Sequence, residues 1–298
     1  MYSLKIIDSQ TKEEDILALA NRELQQIVSD VKLQIEAVET LPCFEGSGYF
    51  FKIANDKTKL RYWLDWTEEL GAWIEPSGRL ATILVKASSL TNSEPIEPSL
   101  VTCLTSHIAA TCLCLQGQIA IHANVVTIHN KAIAFAGDSG KGKSTLTAFC
   151  VGRGAGFVTD DVLVLDKKGV AKFGSSRIKL YPSTAAELGL EIASDGDYKV
   201  HYDPKLLGAD ASAGIHPVET LYILEESNDS SIYSEELSFG ESITHLIRHS
   251  YHSSVVIQDY PSLFDAYIDL AQKIRVKKLF YPRQLDLLPE VYRYLQNN

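Results

Sequence analysis

The residues with the clearest chemical meaning form one glycine-rich segment, which runs from Gly137 to Thr145 and has the sequence GDSGKGKST. Gly137 and Gly142 have the spacing of a phosphate-binding loop, and a lysine and a serine follow directly, as that motif requires. Glycine lets backbone N–H groups surround a polyphosphate, because no side chain intrudes and unusual dihedral angles are accessible. The spacing therefore predicts a nucleotide site made by Gly137, Asp138, Ser139, Gly140, Lys141, Gly142, Lys143, Ser144 and Thr145.

The sequence on either side of this segment has the character that a phosphate-binding loop needs. The apolar run 132–136 before it predicts a strand, and residues 146–151 after it predict a helix. A helix that begins near Ser144 directs its positive end at a bound anion. We therefore expect Lys143 to contact the outer phosphates of ATP and the Ser144 hydroxyl to bind Mg²⁺.

Two adjacent carboxylates, Asp160 and Asp161, form the tip of a predicted strand over 157–161. A right-handed crossover from the loop helix to this strand brings its carboxyl end to the edge that holds the loop. We therefore expect both side chains beside Ser144, one binding metal and the other accepting a proton, since adjacent strand residues point to opposite sides. The alternative is a pair of solvated acids in a turn.

His122 is the next candidate, and its place follows from a predicted hairpin. Residues 119–127 are rich in β-forming residues, and a tight turn at His129-Asn130 would join them to the strand that enters the loop. Antiparallel pairing around that turn places His122 opposite Gly137, at the entrance of the loop. A functional imidazole is one interpretation of this position, and a structural histidine within the strand is the other.

Composition and charge limit the classes of protein to which the chain can belong. The chain has 298 residues, 45% of them apolar, which is ordinary for a soluble globular protein. Its formal net charge of −10 argues against nucleic-acid binding, which depends on Lys and Arg neutralising phosphates. No apolar run approaches the roughly 20 residues of a membrane span, and the first residues have no signal-peptide pattern. We therefore expect a cytoplasmic protein without a nucleic-acid or membrane partner, whose five cysteines are reduced and buried.

The chain is expected to contain two domains. Residues 1–98 combine strand-like runs with a predicted helix start at Thr11, and no catalytic set of residues stands out among them. The segment 91–99 is polar and contains two prolines, as linkers do. We predict a small α+β domain over 1–98 and an α/β domain over 99–298, which begins with an amphipathic helix.

Weaker candidates lie further along the chain. Lys199 is in a polar stretch and is a candidate contact for phosphate or for an acceptor, and Arg248 is a candidate positive group for phosphate. His245, His249 and His252 would fall on one helical face, at i, i+4 and i+7. This face is interpreted as a surface face rather than as a metal cluster, because no carboxylate or cysteine accompanies it.

The order of the stronger motifs resembles a known family. A histidine strand (Ile121-His-Ala123), the glycine-rich loop and then Thr159-Asp-Asp161 have the order and spacing of the catalytic domain of HPr serine kinase/phosphorylase and its shortened relatives. The resemblance covers about 119–166 and is weaker from Arg177 to Arg283. It implies an α/β P-loop kinase core of the HPr kinase catalytic-domain type, preceded here by the small α+β domain.

The resemblance also implies an activity, the transfer of the γ-phosphoryl group of ATP to a serine hydroxyl with Mg²⁺ as the metal. Carried over to this chain, Ser144 and Asp161 would bind Mg²⁺, and Lys143 would bind the phosphates. Asp160 would be the base toward the acceptor hydroxyl. His122 would orient that base or contact phosphate.

The resemblance has departures and leaves the acceptor open. Thr145 stands where the family usually has glutamate, and no copy of the segment linked with phosphorolysis is evident, which argues against the reverse reaction. The shortened relatives look like tailoring kinases of peptide biosynthesis, including those that phosphorylate the C-terminal serine of lasso peptide precursors, so the expected partner is a serine in a peptide or small protein. A free-serine or small-molecule kinase and a regulatory module that binds ATP without transferring phosphate are the alternatives. An assembly of identical chains is also compatible with the sequence.

Overall fold

The structure, a computed structural model, describes residues 32–42, 50–55, 59–86, 103–166, 168–172, 177–191, 199–209, 216–227, 229 and 231–298. The helix start predicted at Thr11 and the linker predicted over 91–99 lie outside these residues. The chain divides into two compact units, the first formed by the residues up to 117 together with 252–260, and the second by 118–251 together with 261–298. The domain boundary at residue 98 stays a prediction.

The first unit is built on a mixed sheet whose strands are β1 (Lys32–Val38), β2 (Phe50–Asn55), β3 (Lys59–Thr67), β4 (Leu70–Ile74) and β5 (Leu80–Lys86). Their order is β1-β5-β4-β3-β2, with β1 parallel to β5 and the other neighbours antiparallel. The turn between β4 and β5 needs glycine at position 78, because φ is +63° there and a Cβ would lie 2.3 Å from the carbonyl oxygen of Cys112. Tyr62, Trp63 and Ile83 are fully buried and form the centre of this unit's core.

The helical segment of the first unit begins as a π-helix at Cys103–Ile108 and continues as α1 (Ala109–Leu115). Every residue of α1 is buried, so the amphipathic helix predicted from the sequence is wrong in one respect, since α1 has no solvent face. Cys103, Cys112 and Cys114 are buried free thiols, and so is Cys150 of the second unit. The expectation of reduced, buried cysteines is confirmed for these residues.

The remaining elements follow in chain order and belong to the second unit, except α5. They are β6 (Ile119–Ile128), β7 (Lys131–Ala136), α2 (Lys143–Gly152), β8 (Gly156–Thr159), β9 (Val162–Leu165), β10 (Val170–Lys172), β11 (Ile178–Leu180), α3 (Pro182–Glu187), β12 (Val200–Tyr202), a 3₁₀ turn (Pro204–Leu207), β13 (His216–Glu226), β14 (Tyr233–Glu236), α4 (Phe239–Arg248), α5 (Ser253–Val256), α6 (Pro261–Ala271), β15 (Arg275–Tyr281), a 3₁₀ turn (Leu285–Leu287) and α7 (Leu288–Asn297). In the part of the chain that the structure describes, none of the helices combines the length and the apolar character that a membrane span requires.

The main sheet of the second unit brings two strand ends to one edge. Its strand order is β10-β9-β6-β7-β13-β15-β14, and β8 pairs with β6. β6 is antiparallel to both β7 and β8, so β7 and β8 run in the same direction and their carboxyl ends lie at the same edge. β13 is parallel to β7 and to β15. The result is a mixed α/β unit in which the segments after β7 and β8 can meet.

One hydrophobic core holds these strands and the helix that follows β7. Phe135 of β7, Leu146 of α2, Phe157 of β8 and Val291 of α7 are fully buried in the same cluster. The short ribbon of β11 and β12 joins this cluster through Ile178. Replacing either phenylalanine with alanine would cost roughly 3–5 kcal/mol of stability, so the elements around the shared edge are firmly positioned.

Candidate functional site

The hairpin of β6 and β7 places the candidate histidine. His129 and Asn130 have left-handed backbone angles, with φ of 50° and 64°, as a two-residue type I′ turn requires. The pairing of the two strands continues from this turn to Ala123 and Ala136. The predicted register is therefore confirmed, and His122 lies one residue beyond the last pair, beside the start of the glycine-rich loop.

The glycine-rich loop (137–142) follows β7 and depends on its glycines. Gly137, Gly140 and Gly142 have φ of 151°, 81° and 88°, angles that favour glycine over residues with a Cβ. Space is restricted at Gly142 as well, because a Cβ there would lie 2.8 Å from the hydroxyl of Tyr281. That hydroxyl donates a hydrogen bond to the carbonyl of Lys141 at 3.0 Å. The end of β15 thus helps to fix the conformation of the loop.

Lys143 and Ser144 are the first residues of α2. The Lys143 ammonium points back into the loop, where it donates to the carbonyl oxygens of Gly137 at 2.8 Å and Asp138 at 3.3 Å. Burial lowers the pKa of Lys143, because a desolvated ammonium is less stable than a hydrated one. The first N–H groups of a helix have no partner within it, so this end of α2 and the ammonium together make the space inside the loop electropositive.

Asp160 follows β8 and is completely buried. One carboxylate oxygen accepts hydrogen bonds from the Ser144 hydroxyl at 3.1 Å and from the Asn124 amide, and the other accepts one from the backbone N–H of Lys179 at 2.8 Å. Burial, followed by the charge of Asp161, raises the pKa of Asp160 to about 7, although these hydrogen bonds favour the ionised form. Asp160 therefore belongs to an enclosed network that reaches the loop through Ser144.

Asp161 has a different environment although it is the next residue. Its backbone is left-handed, with φ of 70°, and its side chain is 18% exposed. The carboxylate pairs with the Lys179 ammonium and makes a hydrogen bond with Nε2 of His122 at 3.2 Å. Burial raises the pKa of Asp161, but Lys179 and His122 outweigh that effect and hold the pKa well below its ordinary value. Asp161 is therefore ionised at neutral pH.

A cavity of about 250 Å³ lies beside the loop within the second unit, and Asp161 lines it while Asp160 does not. The residues of the predicted site that line it are His122, Ser139, Gly140, Gly142, Lys143, Ser144, Thr145 and Asp161. Lys179, Lys199 and Arg283 line it as well, and the Lys199 ammonium lies over the ring of Tyr181 at 5.6 Å. Because this lining has more cations than carboxylates, the cavity favours an anionic ligand.

The other residues predicted for the loop site are not part of this lining. Asp138 pairs with Arg248 at 3.0 Å, so the arginine predicted as a phosphate contact meets the acid of the loop instead. Lys141 pairs with Glu225 at 2.9 Å. The Asp138–Arg248 pair is exposed and the Lys141–Glu225 pair is about one-third exposed, so each contributes at most about 1 kcal/mol. They tie the loop to α4 and β13 without entering the cavity.

The three histidines near α4 do not share a helical face. α4 ends at Arg248, and the buried His249 that follows stacks on His245 with ring centroids 5.9 Å apart. His252 belongs to the first unit, where its ring lies 5.6 Å from that of His107. The surface face predicted for all three is therefore wrong. Within the described ranges, no group of three or more His, Cys, Asp or Glu side chains is arranged to hold a metal ion.

Asn124 and Lys179 are site residues that the sequence analysis did not single out. The Asn124 amide donates to Asp160, and its carbonyl oxygen accepts from the backbone N–H of Asp161 at 3.2 Å. Lys179 binds the same two residues, one through its backbone and the other through its ammonium. Each is a buried polar residue within an apolar strand. A buried polar group needs a hydrogen-bonding partner, so a polar residue within an apolar strand was the signal in the sequence for a site residue.

Comparison with known proteins gives a distant structural likeness. The structure of the HPr(Ser) kinase/phosphatase from Coxiella burnetii is similar to this chain with a TM-score of 0.35 and 18% sequence identity, over 60% of this chain and 94% of that one. No protein-family model matches the chain, and no curated protein sequence matches it significantly. A functional assignment therefore depends on the geometry of the site itself.

Proposed function

We propose that this chain is a Mg²⁺-dependent kinase that transfers the γ-phosphoryl group of ATP to a serine hydroxyl in a peptide or small protein. The observation that carries the proposal is the shared cavity, in which Lys143 and Ser144 face the same space as the ionised Asp161. A module that only binds nucleotide needs the loop but not an ionised carboxylate held by an ammonium and an imidazole. The arrangement therefore supports phosphoryl transfer over binding alone.

The residues of the cavity fit a nucleoside triphosphate and its metal ion. The loop, the buried Lys143 and the start of α2 offer N–H donors and positive charge to phosphates. The Ser144 hydroxyl lies 3.1 Å from the Asp160 carboxylate, and both groups are hard oxygen ligands of the kind that Mg²⁺ prefers. Mg²⁺ sites of this kind use one or two protein groups together with phosphate and water. When bound, Mg²⁺ would neutralise charge that develops on the phosphates.

The geometry favours an exchange of the roles that the sequence analysis gave to the two aspartates. Asp160 contacts the loop serine and is enclosed by protein groups, so we assign it to the metal side of the site. Asp161 faces the cavity, so we assign it to the acceptor hydroxyl. A carboxylate with a depressed pKa is a weak base, but phosphoryl transfer through a loose transition state depends mainly on orienting the nucleophile.

In the proposed reaction, the acceptor oxygen bonds to the γ-phosphorus while the bond from that phosphorus to the bridging oxygen of ADP breaks. Asp161 orients the acceptor hydroxyl and accepts its proton. His122, which is 38% exposed and hydrogen-bonded to Asp161 at 3.2 Å, holds the carboxylate in position. Lys179 keeps that carboxylate ionised before the reaction.

We further propose that the first unit binds the acceptor. In-line phosphoryl transfer depends on holding the hydroxyl at the γ-phosphate, so a separate module can set specificity without supplying chemistry. Among the described strands of the first unit, β1 and β2 are the outermost of the sheet, and strand edges bind extended peptides by adding a strand. This surface suits a peptide better than a free amino acid.

Mass spectrometry of the full chain with Mg·ATP tests the proposed function. The candidate acceptors are precursor peptides encoded near the gene for this chain, an HPr-like protein and free serine. We expect a mass gain of one phosphate on a serine of a peptide or protein. Transfer to free serine alone would overturn the peptide proposal, and transfer to none of them would favour the regulatory module.

A further inference from the structure

We propose that a groove beside the glycine-rich loop binds the adenosine part of ATP and that Gln284 selects adenine over guanine. The groove lies within the second unit and is lined by Leu146, Tyr281, Gln284, Leu285 and Leu288, among others. The inference rests on the proposed function, because it takes the loop as the site of the phosphates. It adds the place and the chemistry of the nucleoside.

The groove continues the cavity that contains the catalytic groups. Gly142, Thr145, Thr184 and Arg283 line both spaces. In a phosphate-binding loop the lysine reaches the outer phosphates and the backbone cradles the inner ones. A triphosphate with its γ-phosphate near Lys143 and Asp161 therefore extends along the loop toward Thr145, and the nucleoside enters the groove.

The lining of the groove suits a nucleoside better than another phosphate. Leu285, which is partly exposed, supplies apolar surface for the face of a flat base, and the buried Leu146 and Leu288 lie behind the groove. Arg283 is the cation among the described lining residues, and it lies at the junction with the cavity, where the α-phosphate would be. The Tyr281 hydroxyl is held by the carbonyl of Lys141 at 3.0 Å, so the side of the groove that it forms is fixed.

Gln284 supplies the polar group that can distinguish the bases. A carboxamide presents a donor and an acceptor side by side, which matches the N6 amine and N7 of adenine. The same edge of guanine presents two acceptors, O6 and N7, so a carboxamide satisfies one of them. Gln284 is exposed, so its substitution tests recognition without disturbing the core.

Calorimetric titration of the full chain with Mg·ATP, Mg·GTP and Mg·tripolyphosphate tests the groove. For the wild type we expect the order of affinity ATP, GTP, tripolyphosphate. Gln284→Ala should weaken ATP binding about 3- to 10-fold more than it weakens GTP binding, the worth of the one additional hydrogen bond that adenine makes, and leave tripolyphosphate binding unchanged. Leu285→Ala should weaken both nucleotides and leave tripolyphosphate unchanged. Asp286→Asn, at an exposed neighbour outside the lining, is the matched control and should change none of them.

The outcomes separate this inference from the proposed function. If the wild type binds tripolyphosphate as tightly as ATP, the phosphate site in the loop is supported but the nucleoside groove is overturned. Equal losses for all three ligands in Gln284→Ala and Leu285→Ala, or no loss in either, would also overturn it. A wild type that binds neither ATP nor tripolyphosphate would overturn the kinase proposal itself.

Discussion

The hydroxyl of Ser144 donates a hydrogen bond to a carboxylate oxygen of Asp160 at 3.1 Å. The two residues lie on different elements, at the start of α2 and at the end of β8, so the bond joins the loop to the pair of aspartates. Asp161, the next residue, faces the cavity. The two carboxylates can therefore be tested separately, since one acts through the loop serine and the other meets the cavity directly.

Asp161→Asn should abolish most phosphoryl transfer while leaving nucleotide binding nearly intact. We expect turnover to fall by roughly 10²–10⁴, the usual contribution of a proton-accepting group, with the Kd for Mg·ATP within a few-fold of the wild type. Asparagine tolerates the left-handed backbone of this position, so the fold should be kept. Steady-state rates and titration calorimetry measure the two quantities, and an unchanged rate would remove Asp161 from the mechanism.

Lys143→Ala and Ser144→Ala should weaken the binding of nucleotide and metal, the step that precedes phosphoryl transfer. A ligand stabilises the state that binds it, by about 2.7 kcal/mol at a concentration of 100 times Kd. We expect both variants to lose most of the increase in Tm that Mg·ATP gives the wild type. Lys131→Ala, which removes an exposed lysine at the other end of β7, is the matched control. If the two loop variants keep the full increase, the phosphate-binding assignment is wrong.

His122→Ala should lower turnover with little change in Tm. The imidazole is 38% exposed and holds Asp161 at 3.2 Å, so its loss affects the orientation of the carboxylate more than the packing of the core. His129→Asn, in the turn at the far end of β6, serves as the control because asparagine tolerates its left-handed backbone. A loss of several degrees in Tm with normal turnover would indicate a structural histidine instead.

The pKa of Asp160 gives an expected pH dependence of stability. The pKa of Asp160 in the folded state is about 7, above the ordinary 3.8, so the folded state binds the proton more tightly than the unfolded state does. Protonation of Asp160 therefore stabilises the fold fully below pH 3.8, and this stabilisation is lost as the pH rises through 7. Relative to Asp160→Asn, the free energy of unfolding of the wild type should fall between about pH 4 and 7, by at most about 1.4 kcal/mol per pH unit. Chemical denaturation of both proteins measures the difference, in which the buried histidines common to both cancel. A difference that stays constant over this range would contradict the protonated, buried state of Asp160.

Amide hydrogen exchange on the full chain tests the proposed role of the first unit in binding the acceptor. We expect an accepted peptide to slow amide exchange in the outer strands β1 or β2, because strand addition would engage backbone N–H groups of these strands. Free serine at the same concentration should leave that exchange unchanged. Protection confined to the second unit would show that the acceptor is selected there.

The parts of the site that depend on local sequence could be predicted. The spacing of Gly137 and Gly142 defines the loop without reference to distant residues, and the His129-Asn130 turn fixes the register that brings His122 to it. The meeting of β7 and β8 at one edge follows from the chain direction. These features need no knowledge of how distant segments pack.

The directions of the two aspartates could not be predicted in the same way. The alternation rule for strands places adjacent side chains on opposite sides, but β8 ends at Thr159, and the left-handed backbone of Asp161 lies outside that rule. Lys179 comes from a ribbon that is distant in sequence, and its approach depends on how the ribbon packs against α2. The amphipathic pattern before Gly117 failed for the same kind of reason, since packing covers α1 on all sides.

Lys179 holds both carboxylates at once, Asp160 through its backbone N–H at 2.8 Å and Asp161 through its ammonium. These two contacts come from one residue of the short ribbon of β11 and β12, so a displacement of the ribbon disturbs both aspartates. Loss of the backbone hydrogen bond would raise the proton affinity of Asp160, and loss of the ion pair would raise that of Asp161. The position of this ribbon therefore sets the proton affinity of both acids.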